Sequence, residues 1–176
     1  LKLKKILEIV TRELQRAENN GPSYSDFLLR LLREEYQSQQ MRFLENRIRR
    51  ANLPERWALD SFPWDRQPGV SKATINQMAE LDFLARAANL VFIGPTGVGK
   101  TGLATGILLK ALCAGHRGLF IKAQELFDEM YRSLAVQSSR KLINRLARMD
   151  VLIIDDMGYL NLRPELTSRL AKLGGN

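Results

Sequence analysis

The run Gly94-Pro95-Thr96-Gly97-Val98-Gly99-Lys100-Thr101 constrains the fold more than any other stretch of the chain. It satisfies G-x-x-x-x-G-K-[ST] in full, a pattern that works as a loop joining a buried strand to the first turn of a helix. The flanks agree. Leu90-Val91-Phe92-Ile93 leads in as a short apolar run, and Leu103, Ala104, Ile107, Leu108 and Ala111 lead out at helical spacing. Glycines at 94, 97 and 99 leave the backbone free to turn several N–H groups inward on an anion. The helix that follows adds its positive N-terminal end. Lys100 is then the charge that reaches the β- and γ-phosphates, with a catalytic role, and Thr101 supplies a hydroxyl for Mg²⁺. The ligand implied is ATP with Mg²⁺.

Downstream, Gly118 to Lys122 and Val151 to Ile154 read as two further strands, with helix-length stretches at 100–114, 123–134 and 138–148. Strands alternating with helices predict an α/β fold, a parallel sheet flanked by helices. The last strand ends in two carboxylates, Asp155 and Asp156, 54 and 55 positions beyond Thr101. An apolar strand ending in acid is a Walker B arrangement: Asp155 would hold Mg²⁺, and Asp156 would orient or deprotonate the attacking water. Aspartate is one methylene shorter than the glutamate common at the second position, which predicts slow turnover or dependence on an activating partner. Gly102 and Gly106 are expected to permit close helix–sheet packing, and Cys113 to be a small buried apolar residue.

Before the P-loop region the pattern is helical. Leu3, Ile6, Leu7, Val10, Leu14 and Ala17 make one face of a helix over 2–18, which Asn19-Asn20-Gly21-Pro22 breaks. Ser23 caps a second helix to about Ala51, with Asp26 near its positive end. Its expected buried side is Phe27, Leu28, Leu31, Leu32, Tyr36, Phe43, Leu44 and Ile48. Another helix is expected over 72–88. The division is thus a helical region 1–53, a linker 54–71 with prolines at 63 and 68, and an ATPase core 72–176.

The net charge of +8 is not confined to a tail: 13 basic and 10 acidic residues precede the break after Arg66, and 14 and 9 follow it. Such a surface favours polyanions. Arg42, Arg47, Arg49 and Arg50, at the far end of the second helix, are candidate DNA or partner contacts, although arginines there also suit the helix dipole unaided. One cysteine excludes an intramolecular disulfide or a multi-cysteine zinc site, and the composition suits a reducing cytoplasm. One histidine, His116 in a turn, offers no base–nucleophile pair. Apolar runs of at most four residues exclude a membrane span.

Three runs together resemble the IstB-like ATPases: Phe92 to Ala104, Ala114-Gly115-His116-Arg117, and Leu152 to Leu160. Upstream, Leu32 to Tyr36, Arg49 to Glu55 and Leu59 to Trp64 fit as well, so the likeness runs from about residue 3 to Glu165. These are AAA+ helpers of insertion-sequence transposition, related to the DnaC helicase loaders. The resemblance implies ATP-controlled assembly as a homo-oligomer on duplex DNA, presentation of that target to a transposase, and a bacterial cytoplasmic setting. It implies DNA or partner binding by the N-terminal helices, and it places Phe62 and Trp64 where such proteins contact adenine, although core packing explains both aromatics equally well. It also implies more chain after Glu165, including the strand between the P-loop strand and the Walker B strand. The sheet is therefore expected to be incomplete at the C-terminus, and ATPase activity to depend on the missing part. Helicase loading, or a truncated remnant that only binds DNA or partners, are the alternative readings.

Overall fold

The computed structural model describes residues 3–67, 69–135 and 139–159, in two compact units, Leu1–Asn46 and Arg47–Asn176. The stretch 166–176, part of the expected C-terminal departure, lies outside the described residues.

The first unit is a pair of helices, α1 (Lys4–Asn20) and the greater part of α2 (Tyr24–Arg50). Gly21 ends α1 in the left-handed region (φ 52°), and its N–H bonds Ala17 O at 2.9 Å. Ser23 caps α2 as expected: its Oγ accepts from Asp26 N at 3.1 Å and donates to the Asp26 carboxylate at 2.6 Å.

The buried faces differ from the apolar periodicity. Ile9 and Leu31 are buried, but so are Glu13 and Glu35, while Leu7 is 77% exposed, and Leu14, Leu28, Leu32, Tyr36 and Phe43 are exposed too. The reason is polar. One oxygen of Glu35 accepts from the free N–H groups of Lys5 (2.7 Å) and Ile6 (3.0 Å) at the start of α1, and the other accepts from Gln39 and Arg42. Glu13 accepts from Arg16 and is ion-paired with Arg30 at 3.2 Å. These contacts rotate both helices away from their leucine-rich faces.

The second unit opens with two short 3₁₀ turns, Leu59–Ser61 and Trp64–Arg66, then α3 (Lys72–Ala79), α4 (Asp82–Ala85) and α5 (Lys100–Cys113). The helix expected over 72–88 is broken, because Leu81 takes a left-handed conformation (φ 68°). Next come β1 (Gly118–Lys122), α6 (Ala123–Ala135), α7 (Ser139–Leu146), β2 (Val151–Asp155) and a 3₁₀ turn at Met157–Tyr159. Strands β1 and β2 pair in parallel, from Gly118 opposite Val151 to Lys122 opposite Asp155. At their start, Arg117 and Asp150 clamp the ladder with a 2.8 Å N–H bond to the carboxylate and a 3.1 Å guanidinium contact. Arg117 holds the Asp150 carboxyl below its usual range, by side-chain and then backbone hydrogen bonding.

The expected strand Leu90–Ile93 belongs to no ladder among the described residues. It keeps a period-two character: Leu90 and Phe92 pack inward, while Val91 and Ile93 are 77% and 91% exposed. A strand needs a hydrogen-bonded neighbour, and no described segment pairs with this one.

The core of this unit joins Leu59, Phe62, Ile75, Leu103 and Ile107, so two residues of the expected linker are built into it. Gly106 makes that possible, since a Cβ there would lie 2.5 Å from Leu59 Cδ2. Gly106 therefore admits Leu59 rather than the sheet, whereas a Cβ at Gly102 would meet Phe62 and Trp57 at ordinary contact distance. Cys113 is exposed instead of buried, at the last position of α5. No helix among the described residues is long and apolar enough to cross a membrane.

Candidate nucleotide site

Residues 94–99 reach the N-terminus of α5 through two left-handed glycines, Gly97 (φ 86°) and Gly99 (φ 83°). Gly99 is the N-cap residue, and its carbonyl takes the first helical bond, from Leu103 N at 2.9 Å. Its missing side chain serves packing as well as torsion: a Cβ would lie 2.8 Å from Phe62 Cζ. The aromatic ring is thus seated directly against the loop, itself 6% exposed. Phe62 also packs against Trp64, with ring centroids 4.8 Å apart and ring planes tilted by 58°. Core packing accounts for Phe62.

Lys100 Nζ donates to Gly94 O (2.9 Å) and Pro95 O (2.7 Å), so its ammonium lies over the loop it would share with phosphate oxygens. Thr101 Oγ1 donates to Asp155 Oδ2 at 2.8 Å, closing the 54-residue gap between the two motifs. Thr105, buried beneath, donates its hydroxyl to Thr101 O at 2.7 Å and fixes the first turn. The structure therefore brings Lys100, Thr101 and Asp155 to one end of the α5–β2 pair, where the ladder ends. A hydroxyl and a carboxylate oxygen in contact suit a small hard cation that keeps most of its ligands as water and phosphate. Among the described residues no cluster of three or more His, Cys, Asp or Glu side chains offers a protein-only metal cage.

Asp156 follows with φ 58°, a left-handed conformation that turns the chain away from the line of β2. Its carboxylate is half-exposed and lies 3.7 Å from Lys122 Nζ. Sequence reasoning missed Lys122. The signal was available in the parallel pairing of GLFIK with VLIID, which sets Lys122 opposite Asp155 and next to Asp156.

The arginine candidates separate. Arg42 belongs to the first unit, where its guanidinium is engaged by Glu35 at 3.0 Å and by Ser38 O. Arg47 and Arg50 belong to the second unit and line a cavity there, whereas Arg49 does not line it.

A protein-family model described as IstB-like ATP binding protein matches residues 1–173. The chain belongs to the IstB-like ATP-binding family. Similar to it are ATP-binding proteins of insertion sequences. That of IS5376 from Geobacillus stearothermophilus is 37% identical over 84% of this chain and 59% of its own length. That of IS21 from Pseudomonas aeruginosa is 32% identical over 98% of the chain and 65% of its own length. An IS21-like protein of Bacteroides fragilis is 30% identical over 98% of the chain and 87% of its own length. The chain thus spans less than two thirds of the first two relatives. For an IstB-like chain, the match ties the helical first unit and the P-loop unit into one family unit of sequence.

Proposed function

We propose that this IstB-like chain binds ATP with Mg²⁺ and hydrolyses it to control engagement of duplex DNA and a transposase during insertion-sequence transposition. The observation that carries the reading is the 2.8 Å contact of Thr101 Oγ1 with Asp155 Oδ2, which unites the two motifs at one point. The names of the relatives supply the transposition setting.

In this reading the N–H groups of 94–99 and the start of α5 hold the phosphates. Lys100 exchanges its carbonyl partners, Gly94 and Pro95, for β- and γ-phosphate oxygens and offsets the charge that develops on transfer. Thr101 and Asp155 would hold Mg²⁺, which when bound would supply positive charge to the phosphates. Asp156 orients or deprotonates the attacking water, and the Lys122 ammonium 3.7 Å away opposes that role by pairing with its carboxylate. In the same reading the protein works in the bacterial cytoplasm as an ATP-dependent homo-oligomer, with Arg42, Arg47, Arg49 and Arg50 as its candidate DNA or partner contacts.

The test is ATP-dependent binding of a labelled duplex by the chain and by Lys100→Ala and Asp155→Ala. Loss of the ATP effect in both variants supports the reading; ATP-gated binding that survives both sinks it. Capture of a replicative helicase in place of duplex would instead assign a loader.

A further inference from the structure

A cavity of about 720 Å³ opens in the second unit, away from the P-loop, between the end of α2, strand β1 and helices α6 and α7. Its outer wall exists because Phe120 N donates to Ala51 O at 2.7 Å, tying β1 to the residue that follows α2. The floor is apolar, made of Leu112, Leu119, Phe120, Ile121 and Met149, of which Leu119 and Met149 are only partly buried. Five arginines stand around it: Arg47, Arg50, Arg117, Arg132 and Arg145.

Two of these cations are already spent. Arg117 is held by Asp150 at 3.1 Å and Arg145 by Glu129 at 2.7 Å. Among the described residues Arg47, Arg50 and Arg132 make no ion pair, and Arg47 Nε is buried with no hydrogen-bond partner at all. A buried guanidinium N–H without an acceptor is costly, and an incoming carboxylate would satisfy it. The lining also contains Glu125 and Glu129, so it is not uniformly basic.

We propose that this cleft docks an acidic segment of a partner protein, one that carries leucine-like side chains between its carboxylates. Each part of the lining then has a counterpart. Apolar anchors cover Leu119 and Met149, carboxylates meet Arg47, Arg50 and Arg132, and the arginine-rimmed apolar centre has the make-up of a binding hot spot. A nucleic-acid backbone fits less well, because it has no apolar group to cover the floor of Leu119 and Met149. The proposal stands apart from the nucleotide reading, since no residue of the cleft belongs to the P-loop or to the Asp155–Asp156 pair.

The experiment is fluorescence anisotropy of the full chain with a short labelled peptide of leucine and glutamate in a helical pattern. The same peptide with serine for leucine and an unlabelled duplex serve as comparisons. We expect the leucine–glutamate peptide to bind, and Arg47→Ala combined with Arg132→Ala to weaken it by about tenfold or more. Arg33→Ala, in the other unit, should leave binding unchanged. Circular dichroism melts of each variant establish that the fold persists; should the double variant melt, Arg132→Ala alone carries the comparison. The serine peptide should fail to bind and the duplex should fail to compete. Equal binding of the serine peptide, displacement by duplex, or no binding of the leucine–glutamate peptide would each overturn the proposal.

Discussion

Lys122 Nζ lies 3.7 Å from Asp156 Oδ2, where β1 and β2 end side by side. The residue proposed as the base is thus paired with a cation from the neighbouring strand. Both side chains are about half exposed (55% and 49%), so screening limits the pair to about 1 kcal/mol. We predict that Lys122→Ala frees the carboxylate and raises ATP turnover by up to about fivefold, with KM for ATP unchanged. Steady-state phosphate release measures it. A fall in kcat would mean that Lys122 holds Asp156 in its working position.

Asp156→Asn keeps the shape of the side chain and removes its basicity. Turnover should fall by about 100-fold or more, while affinity for a fluorescent ATP analogue stays within about twofold. Unchanged turnover would place the base elsewhere.

Thr101→Val replaces the hydroxyl that meets Asp155 with a methyl group of similar volume. The affinity gain that Mg²⁺ gives to ATP binding should shrink by about tenfold or more, with little change in the metal-free affinity measured in chelator. Isothermal titration in the two buffers separates these quantities. Loss of metal-free binding to the same degree would mean that Thr101 serves the loop's structure instead.

Much of the second unit was legible because its signals are local. The P-loop glycines, the strand GLFIK and the acid-tipped strand VLIID each carry their own pattern, and the structure sets Thr101 against Asp155. Ladder partners are not local. Leu90–Ile93 reads as a strand from its own residues, yet a strand is defined by a neighbour, and none is supplied among the described residues. The first unit failed differently. Apolar periodicity selects the leucine stripe of α1, but Glu35 answers free N–H groups on another helix, a long-range requirement that no window of sequence contains. The seat of Phe62 against Gly99 was hidden for the same reason, since the two lie 37 residues apart in a stretch that reads as linker.

That seat gives a stability prediction. Gly99→Ala places a methyl group 2.8 Å from Phe62 Cζ at a residue with φ 83°. The left-handed conformation alone costs a non-glycine residue about 1–2 kcal/mol, and the contact adds to it. Phe62→Ala empties part of the core and costs about 3–5 kcal/mol. The double variant should be less destabilised than the two single losses added, because the truncated side chain no longer meets the new methyl. Chemical denaturation of the four proteins tests this, and strict additivity would show that only the backbone conformation matters at Gly99.

Glu35 makes the first unit sensitive to acid. Burial by itself raises its pKa, but the N–H groups of Ile6 and Lys5, the Gln39 amide and the Arg42 guanidinium outweigh it and leave the carboxyl below its usual range. A lowered folded pKa means that the stabilisation is fully present above the unfolded value, about 4.3, and is lost as pH falls through the lowered folded value. Glu35→Gln should therefore be less stable than the parent at neutral pH, and the difference should close in acid below about pH 4. Helical circular dichroism melts across that range measure it, read against Glu8→Gln, whose side chain is 65% exposed and meets Lys5 at 3.4 Å. If parent and Glu35→Gln lose stability in parallel as the pH falls, the carboxylate is not what holds α1 to α2.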